Sequence, residues 1–146
     1  MPSIYISVAL QELVKKRANE YCEYCYCPAD FSPDFFQFDH ILPLSLGGRT
    51  EANNLARACG GCNNYKTNKI SWFDPLTNVA NPLFHPRKDL WTDHFQWNED
   101  DTLIIGNTPV GRATIALLQM NRPALINLRE LLILVDMHPP SEYPVD

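Results

Sequence analysis

No stretch of this 146-residue chain comes near the run of about 18 apolar residues that a membrane span needs. Positive charge is also scarce. Twelve Lys and Arg against 17 Asp and Glu leave a net charge of −5, which argues against a general nucleic-acid binder, since such domains are usually basic. Residues 1–10 have neither a basic segment nor a long apolar run, so no export signal is legible. We therefore expect a cytoplasmic protein with reduced cysteines. Internal repeats and low-complexity tracts are absent too. With 45% apolar and 20% charged residues the composition is globular. The length suits one domain that buries a core without disulfides.

What positive charge there is lies unevenly. From Arg49 to Lys69, four basic residues (Arg49, Arg57, Lys66, Lys69) face one acid, Glu51, so that window is +3 and the remainder −8. A local basic patch on an acidic protein can hold phosphate, weakly and with strong salt dependence. Prolines cluster from Pro75 onward, so the second half should be rich in loops.

Five cysteines are present: Cys22, Cys25, Cys27, Cys59 and Cys62. Reduced CxxC pairs read as metal ligands rather than disulfide halves. Cys22–Cys25 and Cys59–Cys62 are two such pairs, 33 residues apart, and each tight turn offers two of the four soft ligands of a tetrahedral Zn²⁺. Cys27 is spare: a partly buried free thiol, or a substitute for Cys25. Four thiolates and one Zn²⁺ leave −2 at the site, which basic residues beyond Cys62 must work against.

Residues 7–20 read as an amphipathic helix with Ser7 as N-cap and Leu10, Val14, Ala18 and Tyr21 on one stripe. Phe35–Leu42 alternates like a strand and stops at Pro43. Gly47-Gly48 marks a tight loop, and Glu51–Ala58 suggests a helical turn capped by Thr50. Residues 63–70 have helical composition. Residues 74–89 look irregular. Phe95–Trp97 and Leu103–Ile105 are candidate paired strands. Helices should follow from Thr108-Pro109 to about Met120, and from Pro123 to Met137 with Leu125, Leu128, Leu132 and Val135 on one face.

Around the knuckles run Phe38-Asp39-His40-Ile41-Leu42-Pro43-Leu44-Ser45-Leu46-Gly47-Gly48-Arg49, then Asn53-Asn54-Leu55, then Cys59-Gly60-Gly61-Cys62-Asn63-Asn64-Tyr65-Lys66. Over residues 20–70 the chain resembles the HNH (His-Me finger) endonucleases in their zinc-containing branch, of the stand-alone bacterial type. Phe84-His85-Pro86-Arg87, Trp91-x-x-His94-Phe95-Gln96-Trp97 and Gly111–Ile115 resemble an extension of such proteins. The resemblance implies an α+β fold: a ββα-metal core stapled by a four-cysteine zinc site, with an N-terminal helix and a C-terminal α/β extension. Residues 1–73 would be the nuclease core and 74–146 an accessory layer packed on it.

The same resemblance implies a metal-dependent endonuclease that hydrolyses phosphodiester bonds in nucleic acid, with DNA the expected substrate. His40 matches the general base, and Asp39 matches a ligand of the catalytic metal. Asn54, which directly precedes Leu55, matches the asparagine that braces the histidine loop. Asn63, directly after Cys62, matches the residue that completes the metal site. Cys22, Cys25, Cys59 and Cys62 match the structural zinc ligands. The family's final His is Asn63 here, and an oxygen ligand suits catalytic Mg²⁺ or Mn²⁺ better than Zn²⁺.

The chemistry is coherent. An imidazole of pKa about 6.5 can accept a proton from water at neutral pH. Lys66, three residues after Asn63, would share its helix face and hold a phosphate, with Lys69 and Arg49 as further phosphate contacts. One tension stands: Asp39 and His40 are adjacent, and neighbours on a strand point to opposite faces. His85, His94 and His138 sit among prolines and aromatics and read as packing or capping groups. Two other readings compete. One is a zinc-dependent nucleic-acid-binding module without catalysis, and the other a zinc-stabilised protein-interaction domain. Asp39, His40 and Asn63 favour the enzyme, because neither alternative needs them.

Overall fold

The computed structural model describes residues 5–143. Residues 1–4, the start of the stretch read for an export signal, and residues 144–146 at the end of the extension lie outside the described residues. Helix α1 spans Val8–Ala18, and the Ser7 hydroxyl accepts the Leu10 N–H at 3.2 Å. It stops at Ala18, short of the expected residue 20, because Asn19 and Glu20 both adopt left-handed φ (52° and 65°) and turn the chain into the first knuckle. Val14 and Ala18 are buried, and Arg17 donates to the Leu55 carbonyl at 2.8 Å, which ties α1 to the second strand.

Strand β1 (Gln37–His40) pairs antiparallel with β2 (Leu55–Ala58), placing Phe38 opposite Arg57 and His40 opposite Leu55. The helical turn expected over 51–58 is corrected here: a 3₁₀ turn covers only Ala52–Asn54, and Leu55–Ala58 is a strand. Pairing with β1 and burial of Leu55, Ala56 and Ala58 override the helix preference of two alanines. Helix α2 spans Gly60–Lys66, so it starts inside the second knuckle, where the Cys59 sulfur accepts the Cys62 N–H at 3.4 Å. It ends at Lys66, four residues before the expected residue 70, because Thr67 turns the chain with φ 51°. β1, β2 and α2 form a ββα unit within a mixed α+β chain.

The second half is more ordered than its prolines suggest. β3 (Ser71–Phe73) and β4 (Ala80–Pro82) form a hairpin, so a strand lies within the 74–89 stretch that was expected to be irregular. Fully buried Asp74 organises its turn by accepting from the Leu76 N–H and the Thr77 hydroxyl. Arg112, on α4 (Pro109–Leu118), grips the same carboxylate with two bonds of 2.9 Å. α3 (Trp91–His94) leads into β5 (Phe95–Trp97), which pairs with β6 (Ile104–Gly106). α5 covers Pro123–Leu134. Its buried face holds Leu125 and Leu132, but Val135 lies beyond the helix end and is 61% exposed, contrary to expectation.

One apolar cluster joins both halves, with Tyr24, Ile41 and Ala58 beside Phe84, Trp91, Phe95 and Leu118. The buried Trp91 indole donates to the Tyr24 carbonyl at 2.8 Å, and its ring stacks on Tyr143 with an interplanar angle of 8°. No described helix is long and apolar enough to cross a membrane. Because Trp91 bridges the first knuckle and the extension, Trp91→Ala should cost about 3–5 kcal/mol, read as a lower denaturant midpoint for unfolding of the whole chain. A separate early transition of residues 74–146 would contradict this.

Candidate metal centre and catalytic depression

The first knuckle follows α1 and the second opens α2, and the chain folds them together. The sulfurs of Cys22, Cys25, Cys59 and Cys62 all lie within 4.8 Å of one another, and all four residues are buried. The Cys25 and Cys59 sulfurs are 3.8 Å apart. A tetrahedron with zinc–sulfur bonds of about 2.3 Å has edges of about 3.8 Å, so the donor set fits Zn²⁺ in type and span. None of the five cysteines is in a disulfide. Hydrogen bonds from Cys22 and Cys27 bring Cys25 down to about 5, towards the thiolate that binds metal. Cys27 lies beside the group, buried, and hydrogen bonding to Cys22 and Cys25 pushes its thiol up.

An open depression of about 240 Å³ borders the ββα unit, and Asp39, His40, Leu44, Asn63 and Thr67 line it. Phe38, Asp39 and His40 of β1 all line it, so residues from both faces of the strand reach its wall. His40 is partly exposed, and its Nε2 lies 2.9 Å from the Thr50 hydroxyl. Burial lowers the His40 pKa below its usual value, with Lys66 acting in the same direction and Asp39 opposing. The imidazole is therefore neutral at pH 7.

Asn54 is buried and spans the loop after His40. Its Oδ1 accepts the Leu42 N–H at 2.8 Å, and its Nδ2 donates to the carbonyls of Leu42 and Arg49 at 3.0 and 2.8 Å. Asn53 beside it is exposed. Gly48 lets this loop close, because a Cβ there would collide with the Leu42 carbonyl. Asn63, on α2, donates to the side-chain oxygen of Gln37.

Asp39 is only 4% exposed. It accepts the Tyr24 hydroxyl at 2.6 Å and the Lys66 ammonium at 3.2 Å. Burial raises its pKa, against the pull of Lys66 and Tyr24. Lys66 was expected to hold phosphate, and that expectation is corrected. Its side chain is 2% exposed and points at Asp39 and the carbonyls of His40 and Ile41, at 3.2–3.3 Å. Arg49 and Lys69 are exposed. His94 and His138 bond Thr108 and the Asp101 carbonyl, and the His85 Nδ1 accepts the Arg87 N–H.

Reading the residues alone missed several participants. Tyr24 is hidden inside the first knuckle, and nothing in its spacing announces an aspartate partner. Arg57 was counted only as charge, yet its guanidinium lies 4.5 Å from the Phe38 ring centre, on the strand face that His40 shares. The opposed positions of β1 and β2 would have revealed that pair once the register was known.

Residues 22–72 match the family model described as HNH endonuclease. That segment is similar to HNH endonucleases. It contains both knuckles, β1, β2 and α2, which is about a third of the sequence. Comparison with curated proteins gives no match.

Within residues 22–72 the Asp39–Lys66 pair sets a pH signature. Lys66→Met leaves a buried carboxylate without its cation, a change of the kind that costs about 3–5 kcal/mol. Asp39, already raised by burial, would rise further. A carboxyl whose folded pKa exceeds its unfolded value destabilises the fold as it ionises. Stability of Lys66→Met should therefore fall as pH rises from about 4 through the Asp39 pKa, more steeply than for the parent. Urea titrations from pH 4 to 8 read this, and parallel curves would contradict it.

Proposed function

We propose that the protein is a metal-dependent HNH endonuclease that hydrolyses phosphodiester bonds, with DNA as its substrate. The observation that carries this reading is the depression within the HNH segment that Asp39, His40 and Asn63 line together. His40 is the general base: its imidazole is neutral, it borders open space, and the Thr50 hydroxyl orients it. Asn54 holds the loop that presents His40. Arg49 and Lys69, both exposed, contact flanking phosphates.

Asp39 and Asn63 are the protein's ligands for a catalytic Mg²⁺ or Mn²⁺. The donors suit such an ion, because a carboxylate and an amide are hard oxygen ligands. Each Asp39 oxygen has one partner, in Tyr24 and Lys66, and a carboxylate oxygen can accept more than one. When bound, the ion supplies Lewis-acid stabilisation of phosphate charge and of the leaving oxygen. Cys22, Cys25, Cys59 and Cys62 hold a structural Zn²⁺, residues 1–73 form the core and 74–146 the accessory layer. Zinc ligation by four thiolates needs reduced cysteines, which fits a cytoplasmic setting.

Purified protein with supercoiled plasmid and Mg²⁺ or Mn²⁺ tests the proposal. Cleavage should fall by about 10²–10⁴ in His40→Ala. Because burial lowers the His40 pKa, activity should be on its plateau at pH 7 and should drop only on acidification below the usual histidine value of about 6.5. Salt-dependent DNA binding with no metal-dependent cleavage would favour the zinc-dependent binding module instead. Equal cleavage by His40→Ala and parent would remove His40 as base.

A further inference from the structure

Arg122 stands where α5 begins, 60 residues beyond the last knuckle cysteine, yet its guanidinium is at the sulfur cluster. One nitrogen lies 3.4 Å from the Cys59 sulfur and another 3.7 Å from that of Cys62. The nitrogen that reaches Cys62 also donates to the carbonyls of Leu118 and Gln119, at 3.1 Å each. The ring of Tyr65 lies 5.7 Å away. Other basic residues near the cluster are engaged elsewhere. Lys66, the nearest basic residue after Cys62, is spent on Asp39, and Arg129 turns to the carbonyls of Thr102 and Met120.

Gly61 supplies a second, independent observation. It lies inside α2, where alanine would be the better helix former. A Cβ at this position would collide with the Arg122 guanidinium. Glycine is thus the residue that lets the guanidinium lie against the knuckle.

We propose that Arg122 is the outer partner of the metal centre: its guanidinium offsets the negative charge of the metal-bound thiolates and slows release of zinc, and Gly61 exists to admit it. This rests on the reading that the four cysteines hold zinc. A site of four thiolates leaves two negative charges inside the protein, and hydrogen bonds from one guanidinium fork reach two of its ligands. Because Arg122 belongs to the extension, docking of α5 and retention of zinc favour each other, as linkage requires.

The test uses the full-length parent, Arg122→Gln, Arg122→Lys, Gly61→Ala and the Arg122→Gln/Gly61→Ala double variant. Zinc content as purified is measured first, then the rate of zinc transfer to excess 4-(2-pyridylazo)resorcinol. Losing an outer-shell partner typically costs about 10- to 100-fold in metal affinity, and Arg122→Gln should release zinc faster by a factor in that range. Arg122→Lys keeps the charge without the fork and should fall between. Gly61→Ala should behave like Arg122→Gln, although the exchange would otherwise strengthen α2, and the double variant should be no faster than the faster single.

Cobalt substitution separates charge at sulfur from a merely structural role. The thiolate-to-Co²⁺ charge-transfer band should move to longer wavelength in Arg122→Gln, because thiolates without a hydrogen-bond donor give up electron density more easily. A parent that contains no zinc overturns the zinc reading and this proposal together. A zinc-bound parent whose release rate and charge-transfer band are unchanged in Arg122→Gln overturns the role of Arg122 alone.

Discussion

Four sulfurs in one buried group decide where everything else in residues 22–72 sits. Cys22 and Cys25 fix the chain where it leaves α1, and Cys59 and Cys62 fix it where β2 becomes α2. Clamping those two points sets the start and direction of α2 against β1. Asn63 then emerges beside Gln37, while Lys66, one turn later, projects under Asp39. The knuckle backbone also serves the extension, since the Tyr24 carbonyl takes the Trp91 indole N–H and the sulfurs take Arg122. Loosening the cluster would therefore disturb the depression, the buried ion pair and the docking of the second half at once.

Asp39 shows how close the opposing terms run. A carboxylate at 4% exposure loses most of its hydration, and Lys66 and Tyr24 supply one charge and two hydrogen bonds in return. The balance still falls on the side of burial, which leaves the pKa raised. Such pairs seldom add much net stability, whereas breaking one strands a charge. The value of the pair lies in position: it ties β1, α2 and the first knuckle into one unit beside His40, which faces open space and needs only the hydroxyl of Thr50 to orient it.

The legible parts of the chain were those governed by local spacing. CxxC spacing suits one metal and one tight turn, so the four cysteines whose sulfurs come together could be named from the residues. Ser7 and Thr108 were readable as helix caps, and Phe95–Trp97 pairs with Ile104–Gly106 across its acidic turn much as expected. What failed depended on partners far along the chain. Leu55–Ala58 is a strand because β1 lies beside it, and the β3–β4 hairpin is fixed by Asp74 reaching Arg112, 38 residues away. The helix-face argument correctly put Lys66 on the side of Asn63 but carried no information about depth. Its ammonium points into the protein, because α2 packs on β1. Arg122 was beyond reach altogether, since charge counting near Cys62 looks along the sequence and the compensating cation arrives from α5.

X-ray absorption at the zinc edge of the purified full-length protein tests the sulfur cluster most directly, because it counts and ranges the atoms bound to the metal. Four sulfurs at about 2.3 Å, unchanged in Cys27→Ser and reduced in number in Cys59→Ser if that variant retains metal, are expected. A first shell containing nitrogen or oxygen in the parent, or a folded parent with no zinc, would contradict the arrangement on which the depression and the extension both depend.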